Sequence, residues 1–378
     1  MLPPFAKQLA YNITSPAGRS VSSFLYNINV DYFIIPDAGA TGGGGAVNVL
    51  SSGKILITLN NGQSLILDKK SRVVQTVSSQ SVTSKFSSVR DAILLEANGQ
   101  TYIALLGTFN VSNACKKIAL YLAQYTETSS PASIQIGNVD KLWESEEACE
   151  EPVDNNAGGR LVYEGGQFYL STGWFTGGGV IGDTPISPQV KSSSFGKILK
   201  VNWSGLAEVV SMGHRNPQGL FYSNTKGILF ETEHAMRGGD ELNIIKLGEN
   251  YGWPCESYGT QYTYDVMKPL LQEKTISPEK LCQGRVFKRP QFYWPESTGI
   301  SQGLEYKGDE FPAFNRNLII GSLAATSIYR ISLGAENNVE YIERINVQER
   351  IRDLTTTKKG EIVVLDDAGN ILILSASR

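Results

Sequence analysis

The sequence predicts an all-β fold closed as a six-bladed β-propeller, and three observations carry that expectation. A Gly- or Asn-led polar turn followed by an alternating apolar strand recurs at Gly53–Leu59, Gly99–Leu105, Gly166–Thr172, Gly227–Thr232, Asn317–Ser322 and Gly360–Leu365. None of these strands is followed by a helical period long enough to make a βαβ unit. Their spacing, about forty to ninety residues, is too irregular for uniform short repeats and suits blades that carry long loops. Six strands of one kind imply six repeats in a single domain spanning 1–378.

The first thirty residues alternate loosely, and Phe24-Leu-Tyr-Asn-Ile-Asn-Val30 reads as one strand. In a closed propeller such an early strand completes the last blade. The Gly42–Gly45 run has neither the Lys-Ser/Thr nor the helix of a phosphate loop and reads as a turn. The acidic run Glu144–Glu151 reads as a solvated loop beside Cys149. The longest insertion, about residues 254–300, shows no regular pattern.

Composition narrows the function classes. Hydrophobic residues make up 41% of the 378, enough for a large core, and a net charge of −3 gives no basic field for nucleic acid. No apolar run reaches eighteen residues, so an integral membrane protein is not expected. The N-terminus, Met1-Leu-Pro-Pro-Phe-Ala-Lys7, shows no charged segment followed by an apolar one, so no signal peptide is visible.

Cys115, Cys149, Cys255 and Cys282 never form a C-x-x-C pair, which argues against zinc. Their order suggests Cys115–Cys149 and Cys255–Cys282, each closing a loop of about thirty residues worth roughly 3 kcal/mol. The alternative is four buried free thiols. Asn12-Ile-Thr, Asn110-Val-Ser and Asn202-Trp-Ser fit the glycosylation pattern and lean with the disulfides toward a secreted or lumenal protein.

The most informative stretch runs from Met212 to Pro254. It holds Gly213-His-Arg-Asn-Pro-Gln-Gly219, the strand Gly227–Glu233, Gly239-Asp-Glu-Leu-Asn243 and Asn250-Tyr-Gly-Trp-Pro254. So many polar, Gly and Pro residues between short apolar runs read as structured loop whose polar groups need specific partners. These motifs resemble the signature of the soluble glucose/sorbosone dehydrogenases, six-bladed propellers that use pyrroloquinoline quinone (PQQ) with calcium.

The resemblance implies a set of site residues. Arg215 and Asn216 match the pair that lies against the quinone, and Arg350 and Arg352 match the arginines that hold its carboxylates. Alternation along a strand would point both late arginines to one face, where guanidinium forks suit carboxylates; the alternative is an ion pair with a nearby acid. The main-chain calcium ligands fall on Ala235 and Met236, and Glu241 and Tyr251 match residues that hold a second, structural calcium in some relatives.

The same resemblance marks what is missing. The proton-abstracting His falls on Asn156, an amide with no pKa near neutrality, and its supporting Asp falls on Trp174. A cofactor-binding lysine falls on Ala324. Of the two histidines, His214 reads as structural, while His234 lies beside the calcium loop within reach of the centre. The expectation is a degenerate propeller with no catalytic residue, acting as a binding module for an unknown protein partner or sugar. The alternative is an active PQQ- and calcium-dependent aldose dehydrogenase. A lactonase-like hydrolase would need Asp154, Asn155, Asn156 and Glu233 to converge on a cavity cation.

Overall fold

The computed structural model of the chain describes residues 10–12, 18–36, 44–77, 85–129, 132–149, 154–175, 187–260 and 282–377. Among them, regular structure is almost wholly strand, and no helix is long and apolar enough to cross a membrane. Three strands, β1 (Ala10–Asn12), β2 (Arg19–Ser22) and β3 (Asn27–Phe33), precede the strands of the first blade; β1 edges that blade, and β2 and β3 are outer strands of the last.

Six antiparallel sheets follow around the ring. Blade I is β4 (Gly45–Val49), β5 (Ile55–Leu59), β6 (Ser64–Asp68) and β7 (Val73–Val77), edged by β1. Blade II is β8 (Ser88–Ala97), β9 (Gln100–Asn110) and β10 (Lys116–Ser129), whose two halves pair with β11 (Ala132–Ile136) and β12 (Asp140–Glu144). Blade III is β13 (Gly158–Glu164), β14 (Gln167–Thr172), β15 (Lys197–Val201) and β16 (Ala207–Met212). Blade IV is β17 (Pro217–Ser223), β18 (Ile228–Glu233), β19 (Asp240–Ile244) and β20 (Phe292–Trp294). Blade V is β21 (Ile300–Glu305), β22 (Leu318–Ser322), β23 (Ser327–Leu333) and β24 (Val339–Asn346). Blade VI is β25 (Ile351–Thr356), β26 (Ile362–Asp366) and β27 (Ile371–Ala376), completed by β3 and β2.

The ring closes through that last sheet. β3 pairs along β27 from Ile28↔Ala376 to Phe33↔Ile371, so an N-terminal strand lies outside C-terminal ones in one blade. The strand expected at 24–30 therefore does complete the last blade, shifted to 27–33, with Phe24 left 81% exposed at the bend before it.

Each recurring sequence strand is the second strand of its blade: β5, β9, β14, β18, β22 and β26. Second strands are buried by neighbouring blades on both faces, and β5, β22 and β26 are buried at every position. Between blades the core is continuous: Ile55, Ile57, Leu65 and Leu67 of blade I pack with Val363, Leu365, Ile371 and Ile373 of blade VI.

Two expectations of loop are corrected. Gly239–Asn243 holds strand β19, and β17 begins within the Asn-Pro-Gln-Gly motif. Polar residues extend here as strand because Glu231, Glu233, Glu241 and Asn243 face one another in a buried polar set. Within 254–300 the chain forms β20, the outer strand of blade IV, while 261–281 lie outside the described residues. Both disulfides, Cys115–Cys149 and Cys255–Cys282, are formed.

The innermost strands β8, β13, β17, β21 and β25 each carry a register shift against the next strand, at Val89/Asp91, Gly158/Leu161, Pro217/Gly219, Ile300/Gly303 and Ile351/Asp353. β4 pairs without a break. A bulge frees one residue from the ladder and re-aims its side chain. The residues so skipped include Arg90, Arg160, Gln218, Gln302 and Arg352. Five bulges near one end of the ring thus gather polar side chains at the axis.

Candidate functional site

A cavity of about 510 Å³ opens where the innermost strands begin, and Arg90, Gln218 and Arg352 from three of the bulges line it. That volume is ordinary for a small-molecule site. A larger cavity, about 1110 Å³, opens at the other end of the axis. Its charged side chains Glu96, Lys307, Asp309, Arg316 and Lys358 are exposed, so water solvates them without a ligand. The smaller cavity is the candidate because its charges converge and several of them, Arg90, Asp240 and Arg352, are buried.

The loop from Gly213 to Asn216 builds one wall. Gly213 sits at φ +78°, and a Cβ there would lie 2.2 Å from Asn250 Oδ1, so only glycine lets the loop pass the Asn250–Trp253 segment. The next residues are then fixed. Arg215 donates its backbone N–H to Glu233 Oε2 (2.5 Å) and one guanidinium N–H to His234 O (2.9 Å). Its guanidinium lies 5.3 Å above the Trp253 ring, and Trp174 packs on the same ring at 5.3 Å. Trp174, where the resemblance implies an acid, is thus buried packing that also donates its backbone N–H to Arg215 O (2.7 Å).

A relay of hydrogen bonds crosses from this wall to blade VI. Asn216 donates to Asn155 O (3.0 Å) and accepts from Gln218 Nε2 (2.8 Å), and Gln218 Oε1 accepts from Arg352 (3.1 Å). Arg352 and Arg350 both grip Asp367, at 2.5 Å and 3.0 Å. Burial raises the Asp367 carboxyl, but Arg352 and then Arg350 outweigh it and hold the group below its usual value. Both arginines and Asp367 line the cavity, so the acid partner is a neighbour that orients the pair. Arg350 keeps 53% of its side chain exposed, whereas Arg352 is buried.

Below the relay the axis is plugged. Arg160 donates to Gln218 O (2.7 Å) and Arg352 O (2.6 Å) and faces Asp353 (3.3 Å) and Asp91 (3.8 Å). These contacts bring blades II, III, IV and VI to one point beneath the cavity.

The other expected residues fall as follows. Asn156 closes a 3-10 turn over Asp154–Asn156 and lines the cavity beside Asn155. Ala324 lines it too, as do Ala235 and Met236, where main-chain ligation of a hard cation would place them. Glu241 and Tyr251 do not line it. They lie in blade IV and its following loop, Glu241 beside Glu231, Glu233 and Asn243, and Tyr251 stacked on His214 at 4.7 Å. The hydrolase constellation does not assemble: Asp154 is turned to Lys116 (2.7 Å) and Thr108 (2.6 Å), and Glu233 sits behind the Arg215 backbone.

His234 is in the cavity wall, its Nε2 2.6 Å from Ile300 O. A carbonyl only accepts, so Nε2 carries the hydrogen and Nδ1 is the acceptor in the neutral ring. Burial lowers its pKa, with Arg352 and Arg215 adding and Asp240 opposing. Asp240 itself accepts from Ala235 N, Thr298 N, Thr298 Oγ1 and Gly299 N, which staples blade IV to the start of blade V.

Sequence reasoning missed Arg90, Gln218, Asp240 and Asp367 as members of this wall. The signal for Arg90 was present: Val89-Arg-Asp91 and Ile351-Arg-Asp353 are the same pattern at the start of two innermost strands.

The model of the Glucose / Sorbosone dehydrogenase family matches residues 45–374. The aldose sugar dehydrogenase YliI of Escherichia coli is 30% identical over 238 residues, 59% of this chain and 60% of that protein. The chain spans about half the length of the curated relatives it matches. Among solved structures, the soluble aldose sugar dehydrogenase of Escherichia coli in its apo-form has a TM-score of 0.71 at 22% identity, over 93% of this chain and all of that one. The PQQ-bound aldose sugar dehydrogenase of Streptomyces coelicolor has a TM-score of 0.62 at 19% identity over the full length of both. At those identities the likeness to solved structures speaks for the fold.

Proposed function

The chain belongs to the glucose/sorbosone dehydrogenase family, and from that premise we propose that its central cavity binds a planar polycarboxylate of the PQQ class without oxidising sugars. On this reading the propeller is a binding or protein-interaction module. The observation that carries it is the wall itself: Arg90, Arg215, Arg350 and Arg352 converge on a cavity in which Asn156 stands where the resemblance implies the base. An amide cannot take the hydroxyl proton.

The residues present fit such a ligand. Arg350 and Arg352, forked by Asp367, face its carboxylates, and Arg215 with Asn216 offers a flat polar contact. Ala235 and Met236 would supply main-chain oxygens to calcium beside it. When bound, PQQ supplies a two-electron acceptor and calcium polarises it. The side chains of this chain hold, orient and shield the ligand.

One observation favours the alternative, an active PQQ- and calcium-dependent aldose dehydrogenase: His234 lines the same cavity with Nδ1 as acceptor. Titration with PQQ and calcium, read by tryptophan quenching through Trp174 and Trp253, tests binding. Arg350→Ala should weaken it about tenfold, the share of a charge-assisted hydrogen bond. An aldose panel with an artificial electron acceptor then decides between the readings. Turnover at background supports the binding module, and robust oxidation lost in His234→Gln replaces it with the dehydrogenase. The two disulfides support a secreted or lumenal setting. Intact mass with and without reductant should differ by four hydrogens on purified native material.

A further inference from the structure

Behind the cavity wall lies a second buried polar set that the proposed ligand does not touch. We propose that His214, Glu231 and Glu233 form a closed site for one divalent transition-metal ion of the Zn²⁺/Mn²⁺ class, distinct from any cation held in the cavity.

The strands bring the donors together. Glu231 and Glu233 are two apart on β18 and so share a face, and they stand opposite Asn243 and Glu241 of β19. His214, from the loop after β16, closes over them with Nδ1 3.5 Å from Glu233 Oε1 and 4.0 Å from Glu231 Oε2. One donor atom from each lies within 4.8 Å of the others, and the residues are 0%, 0% and 4% exposed. Donors on a tetrahedral ion with bonds of 2.0–2.1 Å lie about 3.3–3.4 Å apart, so a contraction of roughly 0.1–0.7 Å in the two His214–carboxylate distances brings three of the four positions into place.

Unpartnered atoms point the same way. His214 Nδ1 is fully buried, aims at both carboxylates and has no hydrogen-bond partner, and Glu231 Oε1 and Asn243 Oδ1 are equally orphaned. Such atoms cost free energy unless something not yet named satisfies them. The other ring nitrogen, Nε2, is 2.8 Å from Ser211 Oγ. A metal-bound imidazole characteristically gives its second N–H to a fixed acceptor of this kind.

Charge gives an independent argument. Three carboxylates, Glu231, Glu233 and Glu241, surround the single Asn243 Nδ2 at 3.0, 3.4 and 3.1 Å. Arg215 donates its backbone N–H to Glu233 Oε2. A divalent ion supplies the missing charge where three buried carboxylates otherwise share one amide donor. An imidazole nitrogen selects against calcium, which takes oxygen ligands. None of the three donors lines the cavity, so the ion is structural: it pins the loop that carries Arg215 to β18.

The full chain, stripped with EDTA, is titrated separately with Zn²⁺, Mn²⁺ and Ca²⁺ by calorimetry and thermal unfolding. Co²⁺ absorption reports nitrogen–oxygen coordination. One equivalent of Zn²⁺ or Mn²⁺ should bind at least tenfold tighter than Ca²⁺, raise Tm by several degrees and give visible Co²⁺ bands. Glu231→Gln should weaken this binding at least tenfold while its metal-free Tm equals or exceeds that of the stripped wild type, which separates lost ligation from lost folding. Glu241→Gln should leave Zn²⁺ binding in place, separating this site from a calcium held by Glu241. Wild-type protein that binds neither Zn²⁺ nor Mn²⁺ more tightly than Ca²⁺, or Zn²⁺ affinity unchanged in Glu231→Gln, overturns the proposal.

Discussion

Two buried charge networks sit in the same ring and are built in opposite ways. At the axis, Arg160 faces Asp91 and Asp353, and the remaining lone pairs are used: Asp91 accepts from Leu161 N and Ala92 N, and Asp353 accepts from Val47 N. In blade IV three glutamates share one amide, with atoms of Glu231, Asn243 and His214 left over. The first set is closed on itself and ties blade I to II, III, IV and VI. The second is incomplete. A buried network whose hydrogen bonds all find partners is architecture, and one that keeps orphaned buried atoms beside three carboxylates is a place for a ligand.

The contrast breaks most visibly at its cation. Arg160→Met leaves Asp91 and Asp353 buried without their counter-charge, and we expect a loss of about 3–5 kcal/mol in urea unfolding. Adding Asp91→Asn and Asp353→Asn should return a large part of it, because the penalty belongs to the stranded carboxylates. A triple variant no more stable than Arg160→Met would show instead that shape holds the ring together there.

Removing one acid from the unmatched set should do the reverse. In metal-free protein, Glu231→Gln replaces a buried carboxylate by an amide of the same size and should stabilise by about 1–2 kcal/mol. A loss of that size in the same measurement would mean that the four polar groups are already balanced by shared protons, and the distinction between the two networks would fall.

The same difference explains what the sequence discloses. The six second strands are readable because a strand buried on both sides must be apolar at nearly every position, as in Ile55–Leu59 and Ile362–Asp366. β19 is not readable, since Asp240, Glu241 and Asn243 look solvated until β18 is seen to present Glu231 and Glu233 to them. The site is half visible for a related reason. Arg350 and Arg352 can be paired by alternation, but the bulges that bring Arg90, Gln218 and Arg352 to one cavity depend on registers that no local pattern records. Asp367 is drawn in by the turn after β26, across from both arginines.

A third buried charge lies between these extremes and sharpens the comparison at the smallest scale. Lys197 is fully buried, has no carboxylate partner among the described residues, and gives its three N–H groups to Ser187 O (2.7 Å), Phe195 O (2.7 Å) and Pro188 O (3.2 Å). Hydrogen bonds are complete here but charge is not, and burial pulls its pKa down to about 7 against a weak opposing pull from Glu146. The unfolded lysine titrates near its ordinary value, about 10.4. Between those values the unfolded chain binds a proton that the folded chain has shed, so this group makes stability rise with pH from about 7, while below 7 its full cost is present. Across pH 7–8 the gain should be about 1 kcal/mol, and Lys197→Met should remove that slope. Deprotonation also turns a lone pair toward one of the three carbonyls, so amide protection in the 187–195 loop, measured relative to intrinsic exchange, should fall over the same window in the wild type alone. Parallel stability slopes in the two proteins would show that three carbonyl oxygens are enough to hold an ammonium in the core, and that hydrogen bonds without a counter-charge can complete a buried site.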